Sequence, residues 1–138
     1  MILAFWCVLI AALLPILCSY VAKFGGGPST AAVAPARFDN RHPRAWLAAQ
    51  TGLRARADAA QHNGFEVFPV FAAGVVIAVL QQVAVSTIDA CAVVFVVARI
   101  AYIACYLGDR PSLRSAAFAV GFMACVALFL VAATGTVR

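Results

Sequence analysis

Four apolar blocks, at about residues 2–22, 65–85, 88–107 and 115–134, dominate the chain. A helix that crosses a bilayer needs about 20 such residues. Of the 138 residues, 65% are hydrophobic and 11% are charged. Soluble domains hold about half and about a quarter. The pattern excludes a soluble globular domain, a disordered tail and a nucleic-acid-binding module. It predicts an all-α integral membrane four-helix bundle, folded as a single domain.

The first block reads as a spanning helix rather than a signal peptide. No positive n-region precedes it, no convincing small-x-small cleavage site follows, and its flanking charge, Lys23, lies at the far end. Pro15 predicts a kink within it. The breaker-rich Gly25–Thr30 ends the helix. The segment from about 23 to 64 is then a polar loop. Within it, Pro43 suits the first turn of a short helix with Asn40 or Arg41 near its cap. Two readings stand side by side here. Arg44, Trp46, Arg54 and Arg56 rest on the membrane surface with Trp46 at headgroup depth, or the segment is a plain solvated loop. Val85-Ser86-Thr87 predicts a short link, so the second and third helices form an antiparallel hairpin. Gly108–Ser112 predicts the next turn.

Charge placement sets the expected topology. The net charge is +5, and eight of the ten Lys/Arg residues fall in the 23–64 loop and the 108–114 turn. The 84–88 turn has none and the tail has Arg138 alone. The positive-inside rule turns the polar segments to the cytoplasm and both termini away from it.

The five cysteines, Cys7, Cys18, Cys91, Cys105 and Cys125, all fall in apolar runs without a CxxC, so they read as small buried hydrophobes rather than metal ligands or a disulfide framework. His42 and His62 sit at the membrane border. No phosphate loop, Ser-His-Asp set or metal box is present. Asp89 lies about 15 Å along the helix axis from Arg99, outside the other polar groups.

The informative residues are polar ones inside spans. Arg99 lies more than two turns from the end of its helix, where a charge costs about 2.5–3.5 kcal/mol on insertion scales. Tyr102 and Tyr106 follow on the same face, and Arg110 extends the stripe by another step. Snorkelling and an interfacial tyrosine belt explain Tyr106 alone, but not Arg99. Glu66 is the natural counter-charge, with Asn63 and His62 on its face. Its two readings are an interhelical pair with Arg99 and a helix-entry carboxylate favoured by its own helix dipole.

Two stretches resemble the MAPEG family, the membrane-associated proteins in eicosanoid and glutathione metabolism. They are Arg56–Pro69, with its Asn63-x-x-Glu66-x-x-Pro69, and Ala98-Arg99-x-x-Tyr102-x-x-x-Tyr106, followed by Arg110 and Arg114. Upstream, Phe38–Arg44 resembles a bacterial branch of the family. The resemblance implies a homotrimer in a bacterial-type inner membrane, binding glutathione between subunits near the cytoplasmic face. It implies glutathione contacts from Asn63, Glu66, Arg99, Tyr102 and Tyr106, with Gln61 at a position that is polar in some members. Arg114, with Arg110 second, matches the region that supplies the thiolate-stabilising arginine. The implied activity is a glutathione-dependent transferase or peroxidase acting on lipophilic electrophiles, with no metal and no nucleic-acid partner. Two positions depart from the pattern. Ala59 stands where characterised transferases usually carry arginine, and His62 where some carry one; Arg56 is the candidate substitute. Alternatives are a non-catalytic member and a small four-helix exporter using Glu66 as its proton site.

Overall fold

The computed structural model describes residues 3–25 and 38–134. Residues 26–37, including Arg37 and most of the breaker-rich stretch, lie outside the described residues, as does Arg138. The described residues form five helices and no strand: α1 (Leu3–Phe24), α2 (Pro43–Ala48), α3 (Gly52–Leu80), α4 (Val85–Leu107) and α5 (Pro111–Thr134). Four of them, α1, α3, α4 and α5, are long and apolar enough to cross a membrane. The chain is therefore an all-α, multi-pass membrane bundle.

The largest departure from expectation is α3. It begins at Gly52, thirteen residues before the expected Phe65, so much of the supposed loop is helix. Arg54, Arg56, Asp58 and His62 end the apolar block, but Leu53, Ala55, Ala57, Ala59 and Ala60 are ordinary or strong helix formers. At 29 residues α3 is about 43 Å long, against a hydrocarbon core of about 30 Å. The surplus of about nine residues matches the charged first turns.

The link between α3 and α4 also moves. It is Gln81–Ala84, and Ser86 and Thr87 belong to the first turn of α4. Both hairpin turns close their helices alike. The Val83 amide donates to the Ala78 carbonyl at 3.1 Å, and the Arg110 amide to the Cys105 carbonyl at 2.9 Å. Gln82 and Asp109 take the left-handed conformation this closure requires, at φ 55° and 56°. Pro43 and Pro111 open α2 and α5, where a missing amide hydrogen is tolerated.

The helices α3 and α4 run antiparallel, as expected, with α1 and α5 packed on either side of the pair. Small residues set the spacing. The buried face of α1 is Ala4, Cys7, Ala11, Pro15, Cys18 and Ala22 at three- and four-residue steps. Across the α3–α4 contact, Phe71 and Phe95 stack at 3.9 Å between centroids, 11° from parallel. Large apolar residues such as Leu17, Val97, Met123 and Leu130 point outward, the inverse of a soluble protein. Without a hydrophobic drive between helices in lipid, close van der Waals packing must hold them together.

Asp89 has a structural role. Its Oδ1 accepts the Ala4 amide at 2.8 Å, satisfying one of the free N–H groups at the start of α1. Trp46 is packed inside the protein rather than laid open on its surface. It is 3% exposed, edge-on to Phe38 at 5.3 Å, with the Arg54 guanidinium 5.2 Å from its ring. This packing pins α2 against the charged start of α3.

Two helices approach closely at Gly64, where an added Cβ would lie 2.6 Å from Cγ of Pro15. Overpacking costs about 1–3 kcal/mol, more than the gain of about 1 kcal/mol in helix propensity from glycine to alanine. Gly64→Ala is therefore expected to lower the unfolding midpoint in mixed detergent. A raised midpoint would contradict this packing.

Candidate functional site

Arg99 organises the polar interior. It is 4% exposed although it lies in the middle third of a spanning helix. Its Nη1 donates to Asn63 Oδ1 of α3 at 3.0 Å. Its guanidinium lies 4.2 Å from the centroid of the Tyr102 ring, one turn further along α4. Interhelical hydrogen bonds in membranes contribute about 0.6 kcal/mol on average, and a desolvated cation–π contact about 2 kcal/mol. Together these offset most of the insertion cost of about 2.5–3.5 kcal/mol. Gly121 of α5 keeps room for this arrangement: a Cβ there would meet Ala98 at 3.3 Å and Arg99 Cδ at 3.9 Å.

From Arg99 the cluster climbs toward the α4–α5 turn. Tyr102 is 6% exposed and meets Tyr106 edge-on at 5.5 Å. The Arg114 guanidinium lies 4.4 Å from the Tyr106 ring. The result is an alternating Arg99–Tyr102–Tyr106–Arg114 ladder, buried at one end and half-open at the other. Arg110 is not part of it; the residue is exposed. The reason is geometric. α4 ends at Leu107 and Asp109 reverses the chain, so the step from Tyr106 to residue 110 no longer follows a helix face. The first turn of α5 returns Arg114 to the place expected for Arg110.

Glu66 also departs from both of its expected readings. Among the described residues no ion pair joins it to Arg99; Asn63 stands between them, donating to Glu66 Oε2 at a long 3.5 Å. Nor is Glu66 a helix-entry carboxylate, because α3 starts fourteen residues earlier. Asn63 faces α4, and Glu66, 60° further round the helix, is exposed on the outer surface of the bundle. An amide suits the bridging position because it donates and accepts at once.

The remaining candidates lie apart from the ladder. Arg56 reaches the neighbouring turn, where Nε donates to the Leu107 carbonyl at 3.3 Å and Nη1 lies 3.7 Å from Asp109 Oδ2. His62 is exposed and turns back to Asp58, 2.9 Å from its carbonyl. Gln61 Oε1 is buried with no hydrogen-bond partner among the described residues. His42 pairs with Asp39 at 3.3 Å on the exposed rim. There the Arg41 amide, donating to Asp39 at 2.8 Å, holds the Asp39 carboxyl below its ordinary range.

One cluster was invisible in the sequence. Gln50 is buried, donates to the Trp46 carbonyl at 2.9 Å and accepts from Arg54 at 3.3 Å, while Arg54 Nε donates to the Gly25 carbonyl at 3.0 Å. No spacing rule brings residues 25, 46 and 54 together. The described residues contain no group of three His, Cys, Asp or Glu side chains able to hold a metal, and all five cysteines are free.

The MAPEG family profile matches residues 3–134. The chain belongs to the MAPEG family. No curated protein and no solved structure matches it. The family match covers all four spanning helices, so every residue of the ladder lies within it. As a MAPEG protein the chain is a membrane protein whose polar groups collect at the end of the bundle that holds the α4–α5 turn.

The Arg56 contacts make it a clamp on that turn. Arg56→Gln is expected to speed amide exchange at Gly108–Arg110 while leaving the interior of α4 protected. The pair is partly exposed, so the loss of stability should stay within about 1 kcal/mol. Unchanged exchange at the turn would contradict the clamp.

Proposed function

We propose that this MAPEG protein is a glutathione-dependent transferase or peroxidase acting on lipophilic electrophiles that arrive through the bilayer. The observation that carries the reading is the ladder: two guanidiniums and two phenols running from the bundle interior to a half-exposed arginine at the polar end. Glutathione is an anion with a thiol, and this is a track of cationic and phenolic donors for one. The internal cavity beside Arg99 measures about 10 Å³, far too small for a tripeptide. The tripeptide therefore lies against the outer face that carries Glu66 and the open end of the ladder. A homotrimer, which the family resemblance implies, covers that face with a second copy.

In this reading Asn63, Glu66 and Tyr106 contact the peptide, with the buried Arg99 and Tyr102 supporting them from inside the bundle and Gln61 beside them. Arg114, and after it Arg110, faces the sulfur. A glutathione thiol has a cysteine-like pKa of about 8.5 and is mostly protonated at neutral pH. A guanidinium within hydrogen-bond reach favours the thiolate, and each unit of lowered pKa corresponds to about 1.4 kcal/mol. The thiol proton leaves to water. The thiolate sulfur then forms a bond to an electrophilic carbon and the leaving group departs with its electron pair. With a peroxide, the thiolate attacks one oxygen, the O–O bond breaks and the alkoxide takes a proton and leaves as the alcohol; a second glutathione thiol then attacks the sulfenic acid, giving the disulfide and water. The polar end faces the cytoplasm of a bacterial-type inner membrane, following the distribution of Lys and Arg.

Ala59 favours a second reading, a non-catalytic member, because no arginine stands there to pair a glutathione carboxylate. One experiment separates the two. Purified protein is titrated with millimolar glutathione, and thiolate absorbance and conjugation of a model electrophile are followed. The catalytic reading predicts saturable thiolate formation in the parent protein. Arg114→Ala should lower it about tenfold at neutral pH for each unit by which the thiol pKa rises. No saturable binding, or an unchanged signal in Arg114→Ala, would overturn it.

A further inference from the structure

Arg99 Nη2 is buried with no hydrogen-bond partner among the described residues, although Nη1 is satisfied by Asn63. Leaving such a donor unmade costs more than a typical hydrogen bond gains, and more still for a charged group. Beside it lies a cavity of about 10 Å³, between α1, α3 and α4. Arg99 lines it together with Ala11 and Pro15 of α1 and Ala60 and Gly64 of α3. Pro15 sits inside α1 and has no amide hydrogen. The Ala11 carbonyl, four residues earlier, is therefore denied its helical donor. Two residues that line one small space thus carry, in one case, an unpaired donor and, in the other, a carbonyl short of a donor.

We infer that a single water molecule occupies this cavity, accepting from Arg99 Nη2 and donating to the Ala11 carbonyl. The volume selects the occupant. A water needs roughly 10–15 Å³ by this measure, so one fits and a polyatomic anion does not. The chemistry selects it too. A bare halide cannot donate to a carbonyl, and a cation is repelled by the guanidinium. Water does both jobs and meets the lower limit of two polar partners that internal waters show. The remaining walls, among them Phe68 and Phe95, are apolar and hold it in place.

The inference gives Pro15 a specific role. It frees a carbonyl on the helix facing Arg99, so α1 helps to hold Arg99 through a water-mediated bond. Such bonds are nearly as favourable in enthalpy as direct ones. Arg99 belongs to the glutathione reading as well, but the water's partners are its Nη2 and the Ala11 carbonyl, so the test reads the water without glutathione present.

The test is a structure of the purified protein in lipid nanodiscs at a resolution that shows ordered water. The expected result is one peak within about 3.2 Å of both Arg99 Nη2 and the Ala11 oxygen. Pro15→Ala restores the amide to that oxygen, so the peak should vanish in the variant. An empty cavity in the parent protein, a direct bond from Nη2 to a protein acceptor, or a peak unchanged in Pro15→Ala would each overturn the inference. An anomalous signal at the site after bromide exchange would also overturn it, by showing an anion. Should the variant fail to fold, X-ray radical footprinting of the parent protein decides. Bound water predicts severalfold faster labelling of Pro15 than of the equally buried Leu128, and equal labelling contradicts it.

Discussion

A guanidinium placed within a bilayer must find its compensation in the protein, and the rest of this bundle is arranged around that requirement. Arg99 turns inward because lipid offers it nothing. Asn63 supplies an acceptor from the neighbouring helix, and Tyr102 supplies a ring face from the same helix. Each partner is carried by a helix that must approach closely. Glycine and alanine at the contacts permit this: Gly64 against Pro15, and Gly121 against Ala98. The polar cluster and the small-residue packing are thus two sides of one constraint.

The same constraint places the candidate site. From Arg99 the polar groups have one way out, along the face of α4 through Tyr102 and Tyr106 to Arg114 at the turn. Arg56 fastens that turn from below, and Trp46, Gln50 and Arg54 fasten the loop-proximal end of α3. The polar end of the bundle is therefore braced by contacts distinct from the ladder itself. Glu66 stands outside this brace, on the exposed outer surface of the bundle.

Hydropathy alone made the four spans legible, because apolar blocks of bilayer length have few other folds available. The same signal hid the start of α3. Arg54, Arg56 and Asp58 look like loop to a hydropathy reading, yet they decorate a helix that continues beyond the membrane. The helix-face argument found Arg99, Tyr102 and Tyr106 correctly, since all three lie on one regular element. It failed at Arg110, where the helix had ended, and tertiary return put Arg114 in that place. Charge matching pointed to Glu66 for Arg99, but a rotation of 60° along α3 favours the neutral Asn63. The Trp46–Gln50–Arg54 brace steps by four residues across the break between α2 and α3, where no continuous helix face predicts it, and its tie to Gly25 is long-range.

The central claim is that Arg99 and Asn63 hold each other across α3 and α4. A double-mutant cycle with Arg99→Met and Asn63→Leu, read as unfolding free energy in mixed detergent, measures this most directly. The account predicts a coupling of about 0.6–1.7 kcal/mol, the range seen for hydrogen bonds between membrane helices. Strict additivity of the two substitutions would contradict it.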